Sequence, residues 1–323
     1  MNNILNNYAL GSLSLYNKEK KSCRNDMNRR NTMPNPTSIT EQMLYCTAPI
    51  TYIQNNNKVS SATSFFFRYK TTTNKVIDLL ICNRHFLERV DDIAKLNFSL
   101  TTINVEIEIT THCHDDTNIS SRHIVTWHLH PTEDLAFCFW NPIRDAIQKS
   151  SGKNLYNFHL NEGIIPTQTQ LNNLNPLEDV VMIGYPSGLY DVVNNFPLFR
   201  KGSTSSHPAI DFNGKKQGLV DMACIPGSSG SPIFIYNEGP IPLKNGGIAL
   251  GNRVLFLGIE NMSPQIISPV FDISFSNGQQ VIQQSINQIV KNYINLGFYI
   301  KSSQMSSFRT IIQSQLPPGD ILK

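Results

Sequence analysis

Three residues whose types together perform nucleophilic acyl transfer occur in the order His85, Asp134, Ser229. Ser229 sits in Cys224-Ile225-Pro226-Gly227-Ser228-Ser229-Gly230-Ser231-Pro232-Ile233-Phe234, a Gly-Ser turn between two apolar runs. A serine between glycines can point its hydroxyl outward, while the glycines let backbone N–H groups converge beside it. For this stretch alone a purely structural hairpin is the other reading, since Gly and Ser are common turn residues. A nucleophile also needs a base and an orienting acid. His85 follows the apolar run Leu80-Ile81-Cys82, and Asp134 opens Asp134-Leu135-Ala136-Phe137 after a Pro-containing turn. Glu133 is the alternative acid. Successive strand residues face opposite ways, so only one of the pair can reach the site, and Asp134 is taken. Ser228 and Ser231 are read as structural neighbours.

Chain order separates the folds that carry such residues. An α/β-hydrolase places its histidine last, and no histidine follows His207 here. Its G-x-S-x-G elbow also fails, because Ser231 stands in place of the second glycine. A subtilisin-type site has its Asp before its His. The remaining order, His–Asp–Ser, spaces its members by 49 and 95 residues in this chain.

Elements that would position these residues are mostly strands. Residues 64–69 and 76–82 are short β-rich runs, and Ile103, Val105, Ile107 and Ile109 alternate with polar residues at a period of two. Val125, Trp127 and Leu129 repeat that alternation, and strands resume near 180–185, 218–223, 231–236 and 253–259. Many short strands with polar turns predict an all-β barrel or sandwich rather than a wound α/β sheet. Ile282, Ile286, Ile289, Val290 and Tyr293 share one helical face and predict a helix near 279–293. Met305, Phe308 and Ile312 predict a second at 303–316, stopped by Pro317-Pro318. Residues 1–40, rich in Asn and Ser, read as a disordered leader.

Bulk properties narrow the function classes. A net charge of +3 over 323 residues argues against a nucleic-acid partner. No apolar run reaches the ~18 residues a membrane helix needs, and the N-terminus lacks a basic signal-peptide region. The six cysteines show no paired spacing, and Cys82, Cys138 and Cys224 fall in apolar runs. Reduced thiols and a cytoplasmic location are expected. His112-Cys113-His114-Asp115-Asp116 has no paired ligand motif and reads as a solvated loop rather than a metal site.

With these pieces in place the chain resembles the chymotrypsin-like (trypsin-like) serine peptidases, especially intracellular bacterial-type members. Cys82-Asn83-Arg84-His85 resembles the family's T-x-x-H block, Asp134-Leu135-Ala136 its D-[IL]-A block, and Gly227 to Pro232 its G-x-S-G-x-P block. Val181 to Gly188 resembles an I-G-x-P-x-G segment, and Leu296 to Lys301 the last strand before a C-terminal helix. The His–Asp–Ser spacings are close to the roughly 45 and 93 of the chymotrypsin template. The resemblance spans about 45–315. It implies two antiparallel six-stranded β-barrels with a C-terminal helix, to which the periodicity adds one inserted helix. The first barrel would occupy 45–142, a connector 143–178, and the second barrel 179–302. It implies His85, Asp134 and Ser229 as the triad, with the N–H groups of Gly227 and Ser229 as oxyanion hole. Ala223, Asn261, Met262, Ser263 and Gly297 would line the substrate pocket. No cofactor or metal is implied, and the partner is a polypeptide substrate.

Departures from the family shape the expectation. Ser228 replaces the Asp that serves zymogen activation in many secreted members, and Phe86 replaces a common cysteine. Ala223 stands where a trypsin places its Asp, so cleavage after Lys or Arg is not expected and a small to medium apolar side chain is. The long segment 264–294 is a candidate cap or docking element for a regulatory protein. The expectation is a serine endopeptidase; the alternative is a catalytically silent module that binds a peptide or protein in the inter-barrel cleft.

Overall fold

A computed structural model describes residues 36–90, 93–262, 265–276, 279–293 and 295–323. Helix α1 (Ile39–Met43) starts at a reciprocal capping box between Ser38 and Glu41. Regular structure therefore begins inside the expected leader, whose residues 1–35 lie outside the described residues. Strands β1 (Thr47–Gln54), β2 (Asn57–Lys70) and β3 (Val76–Cys82) follow as a meander, then α2 (Arg84–Glu88), β4 (Thr102–Cys113), β5 (Asn118–Leu129) and β6 (Ala136–Phe139). They form an antiparallel ring in the order β1-β2-β3-β6-β5-β4, which the β4–β1 pairing closes.

The stretch expected as a connector wraps this first barrel. Helix α3 (Trp140–Ser151) buries Trp140, Ile143 and Ile147 and ends at Gly152 with φ 70°. The short β7 (Leu155–Tyr156) extends β4, β8 (Leu160–Asn161) runs parallel beside β2, and α4 (Gln168–Asn172) precedes the second barrel. Strands β9 (Asp179–Gly184), β10 (Leu198–Thr204), β11 (Gln217–Asp221), β12 (Pro232–Pro242), β13 (Ile248–Met262) and β16 (Leu296–Lys301) close into the second six-stranded barrel. Helix α5 (Met305–Gln313) ends the regular structure.

The expected helix at 279–293 is instead a strand. Between β13 and β16, β14 (Gln265–Ser276) and β15 (Gln279–Tyr293) pair antiparallel as a two-stranded ribbon. Val281, Ile282, Ile286, Ile289 and Val290 are β-branched, and an apolar spacing of four residues also fits a strand that has a partner. The partner, 265–276, is itself rich in Ile and Phe.

Why Phe65, Phe66 and Phe67 are all buried follows from the pleat. Phe66 points into the first barrel with Trp127 and Trp140, while Phe65 and Phe67 point out to a core shared with Phe234, Phe256, Phe308 and Ile312. Strand β2 is thus apolar on both faces, and the Phe65 and Phe256 rings meet edge to face at 5.6 Å. The same shared core seats α5, and the Tyr69 hydroxyl donates to Met305 O at 2.7 Å.

Cys46, Cys82, Cys113, Cys138 and Cys224 are free and buried. His112, expected in a solvated loop, is buried at the end of β4 with the Tyr45 ring edge-on at 4.7 Å. Among the described residues no helix is long and apolar enough to cross a membrane.

The second barrel carries a buried ion pair between Arg253 and Glu178. Glu178 also accepts from Asn175 N at 2.8 Å, and Arg253 Nε donates to Asn237 at 2.8 Å. Removing one partner strands the other in low dielectric. Glu178→Ala is therefore expected to destabilise the fold by about 3–5 kcal/mol, measured by chemical denaturation against Glu178→Gln, which keeps an acceptor and loses less.

Candidate active site

His85 owes its position to the way β3 turns into α2. Asn83 caps the helix with extended backbone, and its Nδ2 donates to Asp134 O at 2.8 Å. Arg84 N reaches the same carbonyl at 3.4 Å. The Asp134 carboxylate then takes two bonds from one residue: His85 N donates to Oδ1 at 2.6 Å, and His85 Nδ1 lies 2.6 Å from Oδ2. The Asp134 side chain is fully buried and the His85 side chain is 21% exposed. An ionised carboxylate only accepts, so Nδ1 is the donor in this contact.

The turn that carries Asp134 is held from below. Arg84, fully buried, donates Nη1 to His130 O at 2.9 Å and also binds Asn97 O and the Glu88 carboxylate. His130 Nδ1 accepts from Glu133 N at 2.9 Å and Thr132 N at 3.2 Å, and His130 N donates to Leu135 O at 2.8 Å. The carboxylate on His85 Nδ1 is that of Asp134 rather than Glu133. Burial, then the neighbouring Asp134 charge, push the Glu133 carboxyl pKa upward.

The Ser229 turn is held largely through its carbonyls. The carbonyls of Pro226, Gly227, Ser228 and Ser229 accept from Ser187 N at 2.6 Å, Thr63 Oγ1 at 3.1 Å, Ser231 N at 2.9 Å and Thr63 N at 3.1 Å. The N–H groups of Ser228, Gly230 and Ser231 donate to Ile225 O, Glu260 O and Ser228 O. Among the described residues no hydrogen bond takes the N–H of Gly227 or of Ser229. Gly227 and Gly230 have φ of 86° and 87°. A Cβ on Gly230 would sit 2.0 Å from Thr63 O, so only glycine lets the two chains approach this closely. The same position lies 3.7 Å from Asn83 N, which sets the Ser229 turn against the start of the His85 helix. Ser228 and Ser231 are fully buried, whereas Ser229 is partly exposed. Ser229 Oγ donates to Asn261 O at 3.5 Å.

Of the expected pocket residues, Asn261 is buried, Met262 is 41% exposed, Ala223 is half-buried, and Ser263 lies outside the described residues. Gly297 pairs with Val220, and a Cβ there would come within 2.3 Å of Cys224 Sγ. Cys224 thus packs against Gly297 in the core of the second barrel. Thr63 meets the Ser229 turn without any sign of it in the sequence. A hydroxyl inside a strand carries no local mark of partners 164 residues away.

No protein-family model matches the chain, and no curated protein matches it in sequence. Among solved structures it is similar to the crystal structure of the serine endoprotease from Yersinia pestis, at 13% identity and a TM-score of 0.42, over 87% of this chain and 69% of that one. The chain forms two closed antiparallel rings of six strands followed by a C-terminal helix. The fold is chymotrypsin-like. Within that fold the paired strands β3 and β6 of the first barrel hold His85 and Asp134 in contact, while Ser229 lies on the turn entering β12 of the second barrel.

The chymotrypsin-like barrels also bury three neutral histidines. Burial lowers the pKa of His112, His130 and His159 to about 4 each. The unfolded chain takes up these protons near 6.5 and the folded chain only near 4, so their contribution is intact above 6.5 and lost as pH falls through that window. Each can cost up to about 3 kcal/mol. The unfolding midpoint should drop steeply from pH 6.5 to 4, and His130→Asn should flatten the slope in a pH series of thermal melts.

Proposed function

We propose that this protein is a serine endopeptidase. Two observations support the reading: a buried Asp134 carboxylate on His85 Nδ1, and a Ser229 turn whose Gly227 and Ser229 N–H groups take no hydrogen bond among the described residues. In this mechanism Ser229 Oγ attacks a peptide carbonyl and His85 Nε2 accepts its proton. The carbonyl oxygen becomes an oxyanion between the N–H groups of Gly227 and Ser229. His85 then gives the proton to the leaving amine, water attacks the acyl-enzyme, and the same residues run in reverse. Asp134 fixes the imidazole tautomer and stabilises the imidazolium.

The substrate is a polypeptide that lies along the Asn261–Met262 edge of β13. The close packing of Cys224 against Gly297 supports a narrow pocket at this point and so a small apolar side chain before the cleaved bond. The absence of an acidic residue at Ala223 supports the same preference over Lys or Arg.

A second reading, a peptide-binding module without catalysis, is favoured by the contact of Ser229 Oγ with Asn261 O, which turns the hydroxyl toward a carbonyl. A fluorophosphonate probe separates the two. Wild-type protein is expected to be labelled on Ser229, Ser229→Ala to lose all labelling, and Asp134→Asn to react about 10⁴-fold more slowly. Labelling that survives Ser229→Ala overturns the assignment. A folded wild type that stays unlabelled yet binds peptides supports the binding module.

A further inference from the structure

One hydroxyl of the first barrel governs the backbone of the Ser229 turn in the second. Thr63 is fully buried on β2. Its Oγ1 donates to Gly227 O at 3.1 Å and accepts from Tyr185 N at 3.0 Å and Ser231 Oγ at 3.2 Å. That uses one donor and two lone pairs, the full capacity of a hydroxyl. Its backbone N donates to Ser229 O at 3.1 Å, and its carbonyl is the atom that excludes a side chain at Gly230. A side chain is excluded at Gly184 as well, where a Cβ would fall 2.7 Å from Thr63 Oγ1 and 2.0 Å from Ser231 Oγ.

The consequence lies in peptide geometry. Each peptide unit is planar, so holding a carbonyl also fixes the N–H on its opposite side. The turn contains four consecutive carbonyl anchors, and Thr63 supplies two of them, at Gly227 and Ser229. These two bracket the peptide unit that carries the Ser229 N–H. Fixing its neighbours on both sides limits the rotation that would swing that N–H away from the site. Donors that stabilise an oxyanion act through their fixed placement, and small displacements lower the rate strongly.

We propose that Thr63 is a positioning residue for the oxyanion-binding backbone, so that the first barrel sets the reactivity of a turn belonging to the second. The proposal rests on the peptidase reading for its kinetic consequence. Its mechanical part, the restraint of the turn, stands without it.

Both parts are testable on the full-length chain. Fluorophosphonate inactivation is followed as a function of probe concentration, which separates the maximal rate from the half-saturating concentration. Thr63→Val removes the hydroxyl at nearly constant shape. It is expected to lower the maximal rate by about 10- to 100-fold with little change in the half-saturating concentration, and Thr63→Ser is expected to restore it. A purely structural role would not produce that split with rescue. Amide hydrogen exchange read at Ser228, Gly230 and Ser231 is expected to quicken in Thr63→Val and recover in Thr63→Ser. If Thr63→Val does not fold, Thr63→Ala replaces it, with Thr63→Ser again the rescue control. A wild type that reacts with no probe removes the peptidase reading, and exchange then decides the restraint alone. Wild-type inactivation rates in a folded hydroxyl-less variant overturn the kinetic role. Unchanged exchange across the turn overturns the restraint.

Discussion

Over residues 62–67 strand β2 has no solvent face, and the rest of the molecule is arranged to accommodate that constraint. A strand buried on one side needs one sheet; a strand buried on both needs something packed against its back. Phe66 is enclosed by the first barrel. Phe65 and Phe67 are covered by Phe256 and Phe234 of the second barrel and by α5. The two barrels are consequently not beads on a string. They share an apolar layer, and the polar residue Thr63 at the start of that layer is placed where the second barrel must meet it.

The polar chemistry at the cleft depends on this fit. Asp134 is buried, and a buried carboxylate requires full hydrogen-bonding. Its partners come from the His85 backbone and ring, while its main-chain carbonyl is taken by Asn83 and Arg84. Arg84 in turn ties the helix to the His130 turn. These contacts are all internal to the first barrel. The Ser229 turn, by contrast, takes its anchors from three places: Ser187 after β9, Thr63 on β2 and Glu260 on β13. The His85–Asp134 pair is built locally, whereas the Ser229 turn is built by assembly.

That difference also explains what the sequence reveals. Strand alternation in β4 and β5 is visible because one face is wet, and the His85–Asp134 pairing is visible because each residue follows or opens an apolar strand run. The long-range partners of Thr63 leave no periodic trace. The 279–293 segment misleads because β-branched residues four apart satisfy a helical stripe and a strand equally well, and pairing with 265–276 decides between them. Burial of His112 is hidden for a similar reason: its polar neighbours suggest a loop, but Tyr45 and Phe196 pack against its ring.

The order of the chain adds a temporal consequence. Strand β16 is the seam of the second barrel, pairing with β11 on one side and β13 on the other, and α5 completes the layer behind β2. A growing polypeptide that has already made residues 85, 134 and 229 still lacks this seam. The ring stays open until residue 301 is free to pair, and the shared layer stays incomplete until α5 docks. Closure of the second barrel and of the layer behind β2 therefore depends on residues that lie after 85, 134 and 229 in the chain.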